Sequence, residues 1–266
     1  MPEGDSVFRL AARLRGQVSG RRIVAGELRS GTAAGSSLAG WRIAGLETHG
    51  KHLITWLDPD FALHTHLLMQ GSWTVTRPGR SLPVRVRPAV RVRAEFDDGS
   101  TLWGIDMPVV DLLRARDVPA ALAHLGPDPL RDDWDAAEAV RRLGRRPERM
   151  FVAALLDQRN LAGLGNLWVN ELAFLSGIHP FDPIGIADAT SLVERAARVL
   201  RLSATVPAMY QVTTGSTRRG SAHWVVGRAG KPCLRCGTPI RVRSETAGDP
   251  ERRRTWWCPS CQPRRR

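Results

Sequence analysis

All four cysteines of this 266-residue chain fall within its last 34 positions, as Cys233-x2-Cys236 and Cys258-x2-Cys261. Two such knuckles place four thiolates tetrahedrally around one ion, which constrains the end of the chain more tightly than any other feature. The knuckles are 21 residues apart, slightly beyond the usual template, and the polar stretch 244–251 accommodates the excess. A disulfide framework spreads through a small secreted chain, and these cysteines do not. Four cysteines fill the coordination sphere of zinc, so the expectation is one structural Zn2+ and no open position for catalysis; redox pairs are the alternative. Between the knuckles, Arg252-Arg253-Arg254-Thr255-Trp256-Trp257 alternates into Cys258 and reads as a hairpin strand. An arginine there is able to grip phosphate, and a solvated basic turn is the alternative for Arg252 and Arg253.

Charge narrows the partner. A net charge of +13 points to a polyanion, most simply nucleic acid. The competing explanation is an arginine-biased surface, since Lys51 and Lys231 are the only lysines. That same bias makes Lys51 conspicuous: where arginine would serve, this sequence uses arginine. No stretch is apolar for long enough to span a bilayer and the start carries no signal-peptide core, which reads as a cytoplasmic protein.

The chain opens Met1-Pro2-Glu3-Gly4-Asp5. Removal of Met1 is expected and leaves Pro2 as a terminal secondary amine beside a carboxylate. A terminal amine has a pKa about 2.5 below that of lysine, so more of it is unprotonated and nucleophilic at neutral pH. Val7, Leu10, Ala11 and Leu14 then share one helical face, with Asp5 or Ser6 as candidate caps. Pro2 and Glu3 would sit just ahead of that helix, where the dipole disfavours a protonated amine.

From about residue 22 to 105 the pattern is strand-like. Residues 43–49, 52–57, 61–66 and 72–77 are candidates, and Val84-Arg85-Val86-Arg87 and Val90-Arg91-Val92-Arg93 alternate with period two. A turn at Asp97-Asp98-Gly99 separates 90–96 from 101–105. Short strands in succession predict a sandwich or barrel-like domain. Pro119, Gly126, Pro127 and Pro129 mark a linker, after which residues 136–143, 149–157, 167–176 and 188–202 carry helical periodicity. The fold class expected is α+β and multidomain: an N-terminal β-sandwich domain with a leading helix (1–115), a linker (116–131), a helical domain (132–222) and a zinc finger hairpin (223–266).

Two further segments stand out. In Asp157-Gln158-Arg159-Asn160-Leu161-Ala162-Gly163-Leu164-Gly165-Asn166 a helix ends, the chain turns twice and a new helix begins. Glycines permit close approach to a phosphate and free N–H groups at the helix start bind one; a simple packing corner is the alternative. In Thr48-His49-Gly50-Lys51-His52 a lysine follows a glycine between two strands. Such a turn either presents the lysine to a ligand or leaves it on the surface.

Taken together, these residues resemble the formamidopyrimidine-DNA glycosylase/endonuclease VIII family of base-excision repair enzymes over essentially the full length. The Pro2-Glu3 start, Gly50-Lys51, the helix–two-turn–helix segment 157–166, Gly227-Arg228-x2-Lys231-Pro232-Cys233 and Arg254-Thr255-Trp256-Trp257-Cys258 carry the likeness. The resemblance implies DNA containing oxidised bases or abasic sites as partner, an extruded nucleotide, and a monomer acting at the nucleoid. It makes Pro2 the nucleophile at C1′ and Glu3 its acid/base partner, with strand cleavage by β- or β,δ-elimination. Lys51, Asn166 and Arg254 match positions that hold phosphates around the extruded nucleotide, Lys51 within the catalytic set. Met69 matches a residue inserted into the gap left in the base stack, and a loop around 213–221 is implied to cover the lesion.

Two departures from the family pattern matter. Ser6 stands where a second glutamate is usual, which bears on ring opening and δ-elimination. The Arg-Phe pair of the formamidopyrimidine branch is missing from Asp106-Met107-Pro108-Val109-Val110, and Gly4 replaces that branch's leucine. Both point to the endonuclease VIII side, hence to oxidised pyrimidines such as thymine glycol, with 8-oxoguanine as the alternative. A non-catalytic zinc-containing DNA-binding protein would share the charge and the finger but has no need of a Pro-Glu start. An RNA-binding zinc ribbon would use Trp256 and Trp257 for stacking.

Overall fold

The computed structural model describes residues 2–249 and 252–265. Met1, the end of the 244–251 loop and the last arginine of the basic tail lie outside the described residues. The chain forms two compact units, residues 1–123 and 124–266.

Unit 1 is a β-sandwich with a leading helix. Helix α1 (Gly4–Val18) buries Val7, Ala11, Leu14 and Val18, the face expected from their spacing. Its N-cap is Glu3 rather than Asp5 or Ser6: the helix begins two to three residues earlier, and Ser6 Oγ accepts the Glu3 N–H at 3.3 Å. One antiparallel sheet has the order β1 (Ile23–Leu28), β6 (Val90–Phe96), β7 (Thr101–Ile105), β5 (Ser72–Thr76). The other has the order β2 (Arg42–His49), β3 (His52–Asp58), β4 (Phe61–His66), β8 (Val109–Arg114). Along β6, Val90, Val92, Ala94 and Phe96 point inward while Arg91, Arg93 and Glu95 are half-buried, as period-two patterning requires. Ile23 and Phe96 from one sheet, Leu46, Leu53 and Leu63 from the other, and the α1 face share a single core.

The structure corrects two readings in this unit. Val84-Arg85-Val86-Arg87 alternates like a strand, yet Val84–Ala89 is a 3-10 helix with no buried residue and Val84 75% exposed. Pro83 and Pro88 flank the valines, and Pro88 has no N–H to offer a ladder. Conversely, β8 had no strand signal; only Val110 is buried along it, because it is the edge of its sheet. The stretch 116–131 holds α2 (Val118–Leu122), and Gly126 N and Ala162 N donate to Gln158 O and Pro127 O, at 2.7 and 2.9 Å.

Unit 2 is helical. Asp135 caps α3 (Ala136–Leu143) and Asp188 caps α6 (Ala189–Thr205), each accepting a backbone N–H. Between them lie α4 (Phe151–Leu156) and α5 (Asn166–Leu175). Every residue of α5 from Trp168 to Phe174 is buried, so it is the central rod of the unit. The cysteine hairpin, β9 (Arg241–Arg243) paired with β10 (Thr255–Trp257), packs in the same unit, with Phe174 of α5 in its core beside Val225, Cys233, Ile240 and Cys258.

Candidate functional site

In unit 1 the elements that carry the expected catalytic residues run toward the same end of a sheet. Helix α1 runs antiparallel to β2: Arg15 Nε donates to Leu46 O and Gly20 N to Ile43 O, both at 2.7 Å. Back from Arg15 to Glu3 the helix covers ~18 Å. Forward from Leu46 to His49, its last residue, the strand covers ~10 Å and the Gly50-Lys51 turn follows. Pro2 and Glu3 therefore lie toward the sheet end that carries the Gly50-Lys51 turn. His49 and His52 pair across that two-residue turn, and Gly50 has φ +58°, the conformation a II′-type hairpin places at its first central residue. Glu3 is 1% exposed and Asp5 is fully buried, its carboxylate accepting the Ser6 N–H at 2.8 Å. Two carboxylates thus occupy the positive end of α1.

His66 belongs to the same edge, since His52 pairs with it across β3 and β4. Burial, with Lys51 and His64 nearby, lowers its pKa to about 4. Its Nδ1 accepts the Leu68 N–H at 3.0 Å, which puts the ring proton on Nε2. The chain then turns sharply: Leu68 has φ +46°, Gly71 N donates to Leu67 O at 2.8 Å, and a Cβ on Gly71 would lie 2.7 Å from that oxygen. This turn displays Met69, 62% exposed, instead of burying it.

Unit 2 brings Asn166 and Arg254 together. The Asn166 Nδ2 donates to Arg254 O at 2.9 Å, and Asn170, one turn on, ties Asn166 to the next hairpin residue but one, donating to Asn166 O at 2.7 Å and accepting Trp256 N–H at 2.8 Å. Asn166 opens α5, whose first turn holds no acidic residue, so its leading N–H groups suit an anion. The double turn before it is internally stitched. Gln158 Nε2 donates to Leu156 O and Leu164 O at 2.8 Å, and Gly163, with φ +97°, donates to Gln158 Oε1 at 3.0 Å. Asp157 lies between Arg159 and Arg149, both at 2.8 Å, and their guanidinium groups hold its carboxyl well below the usual range.

The four cysteine sulfurs lie within 4.8 Å of one another. Cys236 is 3.5 Å from both Cys258 and Cys261, and Cys233 is 4.0 Å from Cys261. Tetrahedral thiolates at ~2.3 Å from an ion stand ~3.8 Å apart, so this set fits a metal ion. The second knuckle is braced by buried Gln262, whose Oε1 accepts Cys258 N–H and whose Nε2 donates to Ile178 O, each at 2.9 Å. Trp257 packs edge-on against His179 and Phe181, while Trp256 packs against the hairpin core.

Sequence reasoning missed Asn170, Glu171 and Gln262. A signal was present for the first two, a polar pair inside the apolar helical run 167–175. Both are fully buried.

Comparison with known proteins identifies the architecture. The formamidopyrimidine-DNA glycosylase N-terminal domain matches residues 1–108, and the formamidopyrimidine-DNA glycosylase H2TH domain matches residues 125–209. A Streptomyces coelicolor protein named probable endonuclease 8 2 is 40% identical over 98% of this chain and 94% of its own length. The chain belongs to the formamidopyrimidine-DNA glycosylase/endonuclease VIII family, on its endonuclease VIII-like branch. Within the family, the Mycolicibacterium smegmatis DNA-(apurinic or apyrimidinic site) lyase Nei2 is 38% identical over 98% of this chain and 99% of its own. The Lactococcus lactis Fpg in complex with abasic-site-containing DNA superposes with a TM-score of 0.79 at 25% identity, covering 98% of this chain and 100% of that one.

Proposed function

We propose that this protein is a bifunctional DNA glycosylase and abasic-site lyase of base excision repair, acting on oxidised pyrimidines such as thymine glycol. One observation carries the reading: Pro2 and Glu3 stand at the positive end of α1, toward the sheet end that presents Lys51 and Met69. Once Met1 is removed, the Pro2 nitrogen attacks C1′ of the extruded nucleotide and the bond to the damaged base breaks. Glu3 handles the proton at the opening sugar, and the product is an iminium on Pro2. Loss of a C2′ proton expels the 3′ phosphate by β-elimination; in the β,δ course a second elimination then expels the 5′ phosphate. Water then releases the sugar remnant and regenerates the amine.

Lys51, Asn166 and Arg254 grip the phosphates that flank the nucleotide, and Met69 fills the gap in the stack. Residues 1–115 supply the chemistry, 132–222 grip the backbone, 116–131 join them, and the hairpin 223–266 supplies Arg254. The loop 213–221 covers the extruded base. The ion of the four cysteines is zinc, since four thiolates suit it and leave no open coordination site; its part is to hold the hairpin. Among the described residues no helix is long and apolar enough to cross a membrane. A monomer working on cytoplasmic, nucleoid DNA fits the charge.

The test is a panel of oligonucleotides carrying thymine glycol, 8-oxoguanine or an abasic site, scored for base release and strand cleavage. The expected order is abasic-site cleavage together with thymine glycol release, ahead of 8-oxoguanine. Binding without release or cleavage on every substrate contradicts the proposal.

A further inference from the structure

Glu171 is a fully buried carboxylate that the chemistry above does not use. It projects from the middle of α5, and four donors converge on it. Oε1 accepts Val225 N–H and Val226 N–H at 2.9 Å each. Oε2 accepts Trp224 N–H at 2.8 Å and faces the Thr213 hydroxyl, which also lies 3.1 Å from Ala222 O. These donors flank the irregular segment 213–226 on both sides, so one side chain closes the base of the loop that the ladder of no sheet or helix holds.

The rest of the loop is stitched to that base. Thr213 N donates to Ala222 O at 2.8 Å, and Trp224 Nε1 donates to Thr213 O at 3.2 Å. Trp224 stacks on Phe174 of α5, with ring centroids 5.1 Å apart, and Arg235 covers both rings. Buried Arg228 ties the far side of the loop to the first cysteine knuckle: its guanidinium donates to Gly220 O and, at 2.9 Å, to Pro232 O. The tip is different. Residues 217–220 are exposed, Gly215 and Gly220 both have φ +80°, and among the described residues Arg218 and Arg219 make no ion pair. A pinned base therefore carries a polar tip with two uncommitted cations.

We propose that Glu171 is a positioning residue that sets this loop against the extruded base, so that base excision depends on it and cleavage at an abasic site does not. The inference rests on the reading above that loop 213–221 covers the lesion. Its logic is that an abasic site offers no base for the loop to engage, whereas the sugar chemistry at Pro2 is common to both substrates. Glutamine is the informative replacement. In either orientation its amide NH2 group meets a backbone N–H, of Trp224 on one side or of Val225 and Val226 on the other, and two donors cannot bond.

The experiment compares the metal-loaded wild type with Glu171→Gln on matched duplexes, one carrying the lesion base that the wild type releases fastest, the other an abasic site. Single-turnover base release is expected to fall about tenfold or more, the scale of a lost buried hydrogen bond, with abasic-site cleavage and borohydride trapping within about twofold. Tryptic cutting after Arg218 or Arg219 is expected to speed up by about tenfold while cuts elsewhere keep their rates. Equal losses on both duplexes, or no loss on either, overturn the inference. Should Glu171→Gln not fold, Glu171→Asp keeps the charge but shortens its reach to the four donors and carries the same comparison, with a selective loss of about threefold expected and a parallel loss or none overturning it. A wild type that neither releases a base nor cleaves an abasic site overturns instead the function on which the inference rests.

Discussion

His66 titrates against the fold. Its pKa is lowered from 6.5 to about 4, so between those values the unfolded chain binds the proton that the folded chain refuses. Its contribution to stability is complete above pH 6.5 and is lost as pH falls toward 4. Acid unfolding followed at several pH values should show this slope, and His66→Gln should flatten it. Asp157 also loses its contribution in acid, but lower: its carboxyl is held below the usual range by Arg159 and Arg149, so its ion pairs persist until the pH falls well under 4. Asp157→Asn leaves the nearly buried Arg149 without its carboxylate and should cost ~2 kcal/mol in denaturant unfolding at neutral pH. Glu3→Gln should lower base release by ~100-fold while the affinity for abasic DNA is kept, because it removes a proton-transfer group and not a phosphate contact.

At the scale of elements, patterning was readable wherever one face is buried and the other is not. The α1 face and the β6 alternation follow from the residues alone, as do the helices α3 and α6, though their aspartate caps emerge only from the structure. It was misleading where prolines interrupt the ladder, at 84–89, and silent at edge strand β8, where a single buried residue leaves no period to detect. The site divides the same way. Lys51 was conspicuous through rarity and the cysteines through spacing, but the buried amide and carboxylate of Asn170 and Glu171 show their purpose only through partners more than 40 residues away. The turn carrying Met69 yields a prediction of its own. Since that side chain is already exposed, Met69→Ala should leave the melting temperature unchanged, lower excision from duplex DNA and spare cleavage of a single-stranded abasic site, which has no opposing stack to fill.

For the molecule as a whole, the excess of 39 basic over 26 acidic residues makes binding an ionic-strength problem. Arg254→Ala should weaken binding by a similar factor on every sequence and reduce the slope of log affinity against log salt by about 1. Stripping the ion from the four cysteines should abolish binding by unfolding the hairpin that carries Arg254, and restored zinc should recover it. The central claim is chemical: a terminal imino group forms the bond to deoxyribose. Peptide mapping of the borohydride-trapped adduct on abasic-site DNA tests it most directly. The account predicts the sugar remnant on the nitrogen of Pro2, in molecules lacking Met1. A remnant on Lys51 or Lys231, or full activity from molecules that all retain Met1, would contradict it.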